Sequence, residues 1–114
     1  MLEKIIRKIR VEKKISTIKF SRDLDINRTT LFRFETGEKD ISEKLIVQAL
    51  KILGVSEKAV YQLLVLKELL RLRKEFKNNT VDAQIKEIYK KFDPKKKEEE
   101  IIINVLKSKI KPKK

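Results

Sequence analysis

Apolar residues recur every three or four positions through most of the chain, which is the spacing that places them on one side of an α-helix. The first such stripe lies in residues 2–14, where basic side chains fill most of the other positions. Its members are Leu2, Ile5, Ile6 and Ile9, and Lys13 extends it. With Gly 2 and Pro 2 in 114 residues, the sequence has few turn signals, which argues against an all-β fold. The sequence therefore predicts an all-helical protein.

Capping residues mark the helix boundaries in the first half of the chain. Ser16, Asn27 and Ser42 each precede an apolar pattern, and side chains of these types accept hydrogen bonds from the first turn of a helix. Gly37 and Gly54 stand where the third and fourth predicted helices end, since glycine adopts the left-handed conformation of a helix terminus without strain. These residues predict four helices before residue 55.

Residues 57–77 predict a longer helix that is apolar on two sides. One seam consists of Leu63, Leu66 and Leu70, and the other of Val65, Leu69, Leu72 and Phe76. A helix of this kind usually packs against two neighbours. We expect one side to pack on the domain and the other on a partner molecule. The alternative is that the carboxy-terminal helices fold back and complete one larger core.

Two amphipathic segments follow, the first at residues 81–92. Asp93 and Pro94 then predict a helix cap followed by a proline in the first helical turn. Residues 95–110 fit a helix, but the run IIINVL also fits a strand. The proline favours the helix, and both interpretations stay open at this point.

The charge of the protein favours a polyanionic partner. Lys+Arg 30 against Asp+Glu 17 give a net charge of +13. A basic domain with a suitable motif is typical of a nucleic-acid-binding protein. From charge alone, the alternative is a basic protein that is merely soluble.

Several classes of function are excluded or disfavoured by composition. Because the sequence has no Cys and no His, it forms no disulfide, no Cys/His zinc site and no thiol or imidazole catalytic centre. No spaced carboxylate cluster or nucleophile–base pair is evident, so we expect no metal, no cofactor and no enzyme. The first residues are charged, unlike a signal peptide, and apolar runs such as residues 101–103 are too short to span a membrane. We therefore expect a cytoplasmic protein without a membrane partner.

The stretch NRTTLFRFETG, residues 27–37, predicts a helix with two unlike faces. Leu31 and Phe34 lie on the apolar face, and the opposite face carries Arg28, Thr29, Phe32 and Arg33. Arginine can donate hydrogen bonds to the acceptor atoms of guanine. Threonine can contact a base or a phosphate, and an aromatic ring can pack against a thymine methyl group. With the preceding helix and a tight connection, this stretch predicts a helix-turn-helix whose third helix enters the major groove. The alternative is a half-buried Phe32 beside solvated arginines.

A run of short motifs in residues 5–55 resembles one known family. The motifs are Ser16-Thr17, Phe20-Ser21, Asp25-Ile26, Glu35-Thr36-Gly37 and Leu53-Gly54-Val55. They are similar to the Ser-Gln, apolar-small, Gly-Val, Glu-Asn-Gly and Leu-Gly-Val motifs of the Cro/lambda-repressor-type helix-turn-helix, or XRE family. The resemblance implies an all-α fold, with a five-helix lambda-repressor-like helix-turn-helix domain and a C-terminal helical extension.

The resemblance also implies roles by position. Together with the face described above, it predicts base contacts from Arg28, Thr29, Thr30, Phe32 and Arg33. It predicts DNA-backbone contacts from Thr17, Asn27, Thr36, Lys39, Ser42 and Lys44. Arg10 and Glu35 match a structural pair that ties the first helix to the end of the third, and the alternative is two unrelated surface charges. Thr17 is shorter than the usual Gln, so its phosphate contact is lost or passes through water, and Asp25 replaces the turn glycine.

The predicted function is that of a sequence-specific transcriptional regulator of double-stranded DNA. We expect a repressor that binds a palindromic operator as a homodimer through a recognition helix at residues 28–35. Residues 1–66 would form the DNA-binding domain, and residues 67–114 a dimerisation region with a basic tail. Two alternatives stay open. One is an antitoxin that binds a toxin or another protein partner, and the other is a plasmid or viral maintenance protein with low sequence preference.

Overall fold

The fold is all-α, as the sequence predicts. The computed structural model describes residues 1–76 and 79–110, and these residues form seven helices and no strand. The helices are α1 Leu2–Glu12, α2 Thr17–Leu24, α3 Arg28–Glu35, α4 Glu43–Ile52, α5 Glu57–Glu75, α6 Asn79–Tyr89 and α7 Lys97–Ile110. The predicted basic tail, from residue 111 onward, lies outside the described residues.

The internal contacts of the protein divide it into two compact units. The first, Leu2–Ser56, contains α1 to α4, and the second begins at Glu57 and contains α5 to α7. The predicted change of domain after residue 66 falls inside α5, and it stays a prediction.

The core of the first unit follows the apolar stripes of its four helices. In α1, the predicted residues Leu2, Ile5, Ile6 and Ile9 are all buried. Extending this stripe to Lys13 was wrong, because α1 ends at Glu12 and Lys13 is exposed. Arg10 takes the buried place at this end of α1. The remaining core consists of Phe20, Leu24, Leu31, Phe34, Ile46, Ala49, Leu50, Leu53 and Val55.

Serine side chains begin two of these helices. The Ser16 hydroxyl accepts a hydrogen bond from the backbone N–H of Lys19 at 3.1 Å, and that of Ser42 accepts one from Leu45 at 3.2 Å. Each bond satisfies one of the first-turn N–H groups that have no partner inside a helix. The two predicted serine caps are therefore confirmed.

Each of the four helices of the first unit is followed, one or two positions after its last residue, by a residue with positive φ. Gly37 (φ 84°) and Gly54 (φ 87°) have this conformation, and so do Lys14 (φ 58°) and Asp25 (φ 55°). After α3, Gly37 N–H donates to Phe34 C=O and Glu38 N–H to Arg33 C=O, which is a Schellman motif. The same bonding pattern closes the helices at Lys14, Asp25 and Gly54. The same helix-ending motif therefore occurs four times, and only two of the four positive-φ positions have a glycine.

In the second unit, α5 buries one of its faces. Leu63, Leu66 and Leu69 are buried, while Leu70, Val65 and Leu72 are half-buried and Phe76 is exposed. Both predicted seams are therefore only partly buried within this protein. α5 packs on α6, and α6 on α7. The buried side chains of the last two helices include Val81, Ile85, Ile102, Val105 and Leu106.

The last segment is a helix, which settles the choice between helix and strand. Ile102, Val105 and Leu106 are buried at helical spacing on α7. The expected first-turn proline was wrong, since α7 begins at Lys97 and Pro94 lies in the turn before it. That turn is held by Asp93, whose Oδ1 accepts from Lys95 N–H at 2.9 Å and whose C=O accepts from Lys96 N–H at 3.2 Å. These bonds place Asp93 in a separate turn, and α7 begins after that turn, at Lys97.

Candidate nucleic-acid interface

The candidate site is built on α2, α3 and the short connection between them. α2 packs directly on α3, and Asp25 turns the backbone through its left-handed conformation. Asp25 N–H donates to Arg22 C=O at 3.1 Å, and Ile26 N–H donates to Ser21 C=O at 3.0 Å. Because these bonds satisfy the last carbonyls of α2, the connection is short and well defined. The two helices are therefore held in a fixed relationship.

The buried side of α3 anchors it to the first unit. Leu31 is 1% exposed and Phe34 is 3% exposed, as predicted for the apolar face. Burying side chains of this size stabilises a fold by roughly 1.5–3 kcal/mol each. α3 also packs on α1, so it is held from two sides. A helix of eight residues would not be stable alone, and this packing determines which face remains outside.

The opposite side of α3 faces solvent. Arg28, Thr29, Phe32 and Arg33 are exposed, and Thr30 at the edge is half-buried. Phe32 is 59% exposed, which rules out the alternative that it belongs to the core. The acidic residue of α3, Glu35, is buried, so the exposed side of this helix carries positive charges only. Such a surface suits phosphates and the acceptor edges of bases.

Arg10 and Glu35 form a buried ion pair with two hydrogen bonds. Arg10 Nε donates to Glu35 Oε2 at 2.7 Å, and Arg10 Nη2 donates to Glu35 Oε1 at 2.8 Å. Arg10 Nη1 donates to the C=O of Ile15 at 2.8 Å. This bidentate arrangement fixes orientation as well as distance. It joins α1, the connection after it and the last residue of α3, and thus positions the carboxy-terminal end of the exposed face.

Of the residues predicted to contact the DNA backbone, some have side chains that form hydrogen bonds inside the protein, and others are exposed. The Thr36 hydroxyl is engaged at the carboxy-terminal end of α3. Its single proton is shared between Phe32 C=O, at 3.0 Å from Oγ1, and Arg33 C=O, at 3.2 Å. The Ser42 hydroxyl accepts the capping bond described above. Lys39 precedes Ser42 in the sequence and Lys44 follows it, and both lysines are exposed. Thr17 is half-buried at the start of α2. The two lysines and Thr17 therefore keep side chains that a phosphate can reach.

Asn27 has the position of an N-cap, but its side chain makes no capping bond. Its backbone carbonyl still accepts from Leu31 N–H at 3.1 Å. The amide group is exposed at the amino-terminal end of α3. It is therefore free to donate and accept hydrogen bonds outside the fold, whereas an ordinary capping group is already engaged with its own helix.

Arg22 is a candidate contact that the sequence analysis missed. An open concavity between α2 and α3 is lined by Ser21, Arg22, Asp25, Ile26, Asn27 and Thr30. The exposed guanidinium-bearing side chain of Arg22 thus lies with Asn27 and Thr30, which were predicted to contact DNA. The signal in the sequence was a basic residue in the last turn of α2, three positions before Asp25 begins the tight connection.

Comparison with known proteins agrees with this geometry. A family model described as helix-turn-helix matches residues 6–59, which span α1 to the first residues of α5. These residues form a helix-turn-helix domain of the Cro/lambda-repressor type, the XRE family. The domain is that of a DNA-binding regulator, and the family is generally not enzymatic. Searches of curated proteins and of solved structures found no match.

Among residues 1–76 and 79–110, no group of three or more acidic side chains is placed so that it could hold a metal ion. None of the helices in these same ranges has the length and apolar character needed to cross a bilayer.

Proposed function

We propose that this helix-turn-helix protein is a sequence-specific transcriptional repressor that binds a palindromic operator as a homodimer. It acts in the cytoplasm, without a cofactor and without enzymatic activity. The observation that carries the proposal is the exposed side of α3, where two arginines and an uncovered Phe32 ring stand together without an acidic side chain.

Base reading is assigned to the exposed side of α3. Arg28 and Arg33 can each donate two hydrogen bonds to the N7 and O6 atoms of guanine. Phe32 has enough exposed ring area to contact a thymine methyl group, and Thr29 and Thr30 can donate to or accept from base edges. The proposal assigns specificity to these five residues and affinity mainly to the residues around them.

Phosphate contacts are assigned to both flanks of α3. Thr17 and Asn27 lie at the amino-terminal ends of α2 and α3, where helix N–H groups favour an anion. Lys39 and Lys44 are exposed and follow α3 in the sequence, beyond the Schellman turn at Gly37. We add Arg22 to this group. Contacts of this type determine register on the duplex rather than base preference.

Pairing of two copies is assigned to α5. Tyr61 is exposed and Val65 and Leu72 are half-buried, and their spacing places all three on one side of α5. The exposed Phe76 directly follows α5 and extends this stripe, since its N–H donates to Leu72 C=O at 2.7 Å. The buried residues Leu63 and Leu66 lie on another side. A helix that keeps an apolar stripe in solvent gains by covering it, and a second copy would supply an identical stripe. Two such domains would then read half-sites separated by about one helical turn.

The decisive experiment is selection of bound sequences from random duplex DNA. We expect a two-fold-symmetric site whose half-site spacing reports the arrangement of the dimer. Arg28→Ala or Arg33→Ala should weaken operator binding by about 1–3 kcal/mol and relax the base preference at one position. Arg7→Ala removes an exposed arginine from α1 and is the matched control.

Two results would contradict the proposal. If the arginine variants of α3 weakened operator and random duplex equally, direct base reading would be wrong and a maintenance protein with low sequence preference would fit better. If the protein co-purified with a small toxin that covers α5, the antitoxin alternative would replace the homodimer.

A further inference from the structure

We propose that the turn between α6 and α7 is a second duplex-DNA-binding surface, which contacts phosphates and reads no bases. The surface consists of residues 90–97, KKFDPKKK, and is called the lysine turn below. It lies in the second unit, outside the residues that the family model matches. The proposal rests on the proposed function in one respect, namely that the ligand is duplex DNA.

The backbone of the lysine turn is held in place by its own contacts. Phe92 is 3% exposed and anchors the segment in the second unit. Asp93 Oδ1 and Asp93 C=O accept from the backbone N–H groups of Lys95 and Lys96, and Asp93 N–H donates to Glu99 Oε1 at 3.0 Å. These bonds hold the backbone on both sides of Pro94. The lysines therefore extend from an ordered backbone, which lowers the entropic cost of binding.

Two carboxylates, Asp93 in the turn and Glu99 in α7, accept hydrogen bonds from the backbone of this segment. Glu99 is buried and is used by Asp93 N–H, with Lys96 Nζ 3.8 Å from its Oε2. Asp93 is half-buried and bonded within the turn. Five lysines face solvent in eight residues: Lys90, Lys91, Lys95, Lys96 and Lys97. The outer surface of the turn is therefore strongly positive, although Glu100 is exposed at its α7 side.

Two of these lysines have no ion pair in the part of the protein that the structure describes. Lys90 lies 3.9 Å from a carboxylate oxygen of Glu87, and Lys96 has the loose pair with Glu99. Lys91 and Lys95, one on each side of Phe92, have no such partner among residues 1–76 and 79–110. Since they need not give up an internal ion pair, these two are the strongest candidates for phosphate contact.

The residue types identify the ligand as the duplex backbone. An ammonium group contacts phosphate as a point charge and lacks the planar fork with which arginine reads guanine. The ring of Phe92 is buried, so the turn offers no exposed aromatic surface on which unpaired bases could stack. Residues 90–97 also lack an exposed apolar side chain other than Pro94 that could enter a lipid interface. What remains is attraction to closely spaced phosphates.

The test compares salt dependence in two matched double variants. Lys91→Gln/Lys95→Gln removes the two candidate contacts, and Lys67→Gln/Lys74→Gln removes two exposed lysines from α5 with the same change in net charge. The logarithm of the association constant decreases linearly with the logarithm of the salt concentration. For the first variant, the magnitude of this negative slope should decrease by about two, and the base preference should be unchanged. The control should keep the wild-type slope. Circular dichroism verifies the fold of each, and Lys91→Arg/Lys95→Arg should restore the slope.

The outcomes separate this proposal from the proposed function. An equal fall in slope for the control would mean that only net charge matters, and an unchanged slope in the first variant would mean that no phosphate contact exists. Either result overturns the lysine turn as a binding surface. All variants are measured on random duplex as well as on the selected operator. If the wild type shows no sequence preference, operator reading fails, but the comparison on random duplex still decides the role of the lysine turn.

Discussion

Arg10 and Glu35 are 25 residues apart in the sequence and meet through two parallel hydrogen bonds of 2.7 and 2.8 Å in the interior of the first unit. Their side chains are 10% and 4% exposed, so the pair is almost fully removed from water. The third guanidinium nitrogen of Arg10 is used by Ile15 C=O. The pair therefore connects the end of α1 to the end of the helix that carries the candidate base contacts.

The ion pair predicts a large loss of stability when one partner is removed. Glu35→Gln or Arg10→Ala should lower the free energy of unfolding by about 3–5 kcal/mol, because the remaining charge is buried without compensation. The double variant Arg10→Met/Glu35→Leu should lose less than either single variant, since it leaves no buried charge. Denaturant unfolding measures all three. Asp23→Ala breaks the exposed pair of Lys19 and Asp23 (3.0 Å) and should cost less than about 1 kcal/mol.

The left-handed conformation of Asp25 predicts a stabilising substitution. Asp25→Gly should raise the free energy of unfolding by roughly 0.5–1 kcal/mol, because glycine adopts a positive φ without the steric cost of a Cβ. Gln48→Gly, at an exposed position inside α4, is the control and should destabilise by roughly 0.5–1 kcal/mol. Thermal unfolding of both variants measures the difference. A loss of stability in Asp25→Gly would mean that the aspartate side chain itself stabilises the turn.

The two phenylalanines of α3 predict opposite consequences of truncation. Phe32→Ala should weaken operator binding and change stability by less than about 0.5 kcal/mol, because the ring is 59% exposed. Phe34→Ala should lower the free energy of unfolding by about 3–5 kcal/mol, because the ring is buried and its loss leaves a cavity. Denaturant unfolding and binding titrations with the selected operator measure the two effects. Equal destabilisation by both variants would show that Phe32 packs in the fold.

The apolar stripe of α5 predicts a single helix face that controls assembly. Leu72→Asp should shift the protein toward monomer at micromolar concentration, because a carboxylate in a covered interface loses its hydration. Gln84→Asp, on an exposed position of α6, makes the same change in charge and should leave assembly unchanged. Sedimentation velocity distinguishes the species. A wild-type protein that is monomeric with and without DNA would exclude this interface.

Local sequence was sufficient for the helices and for most of their ends. The serine caps at Ser16 and Ser42 and the glycine terminus after α3 depend on interactions within a few residues, and they are confirmed. The two faces of α3 also follow from helical spacing, since Leu31 and Phe34 are buried and Phe32 is exposed. Lys13 and Pro94 were misplaced because each lies at a boundary where a turn competes with the helix.

Other features depend on contacts between distant residues. The buried Arg10 is paired with Glu35 on another helix, and α7, with Ile102 and Leu106 buried, packs on α6. Glu99 is buried because the turn at Asp93 supplies a backbone N–H for it. The amino-acid sequence by itself determined the helical periods, the two serine caps and the cationic face of α3, because these depend on neighbours along the sequence. Only the tertiary structure decided which charges are paired inside and which, as in the lysine turn, stay exposed to solvent, since that choice is made by residues that folding brings together.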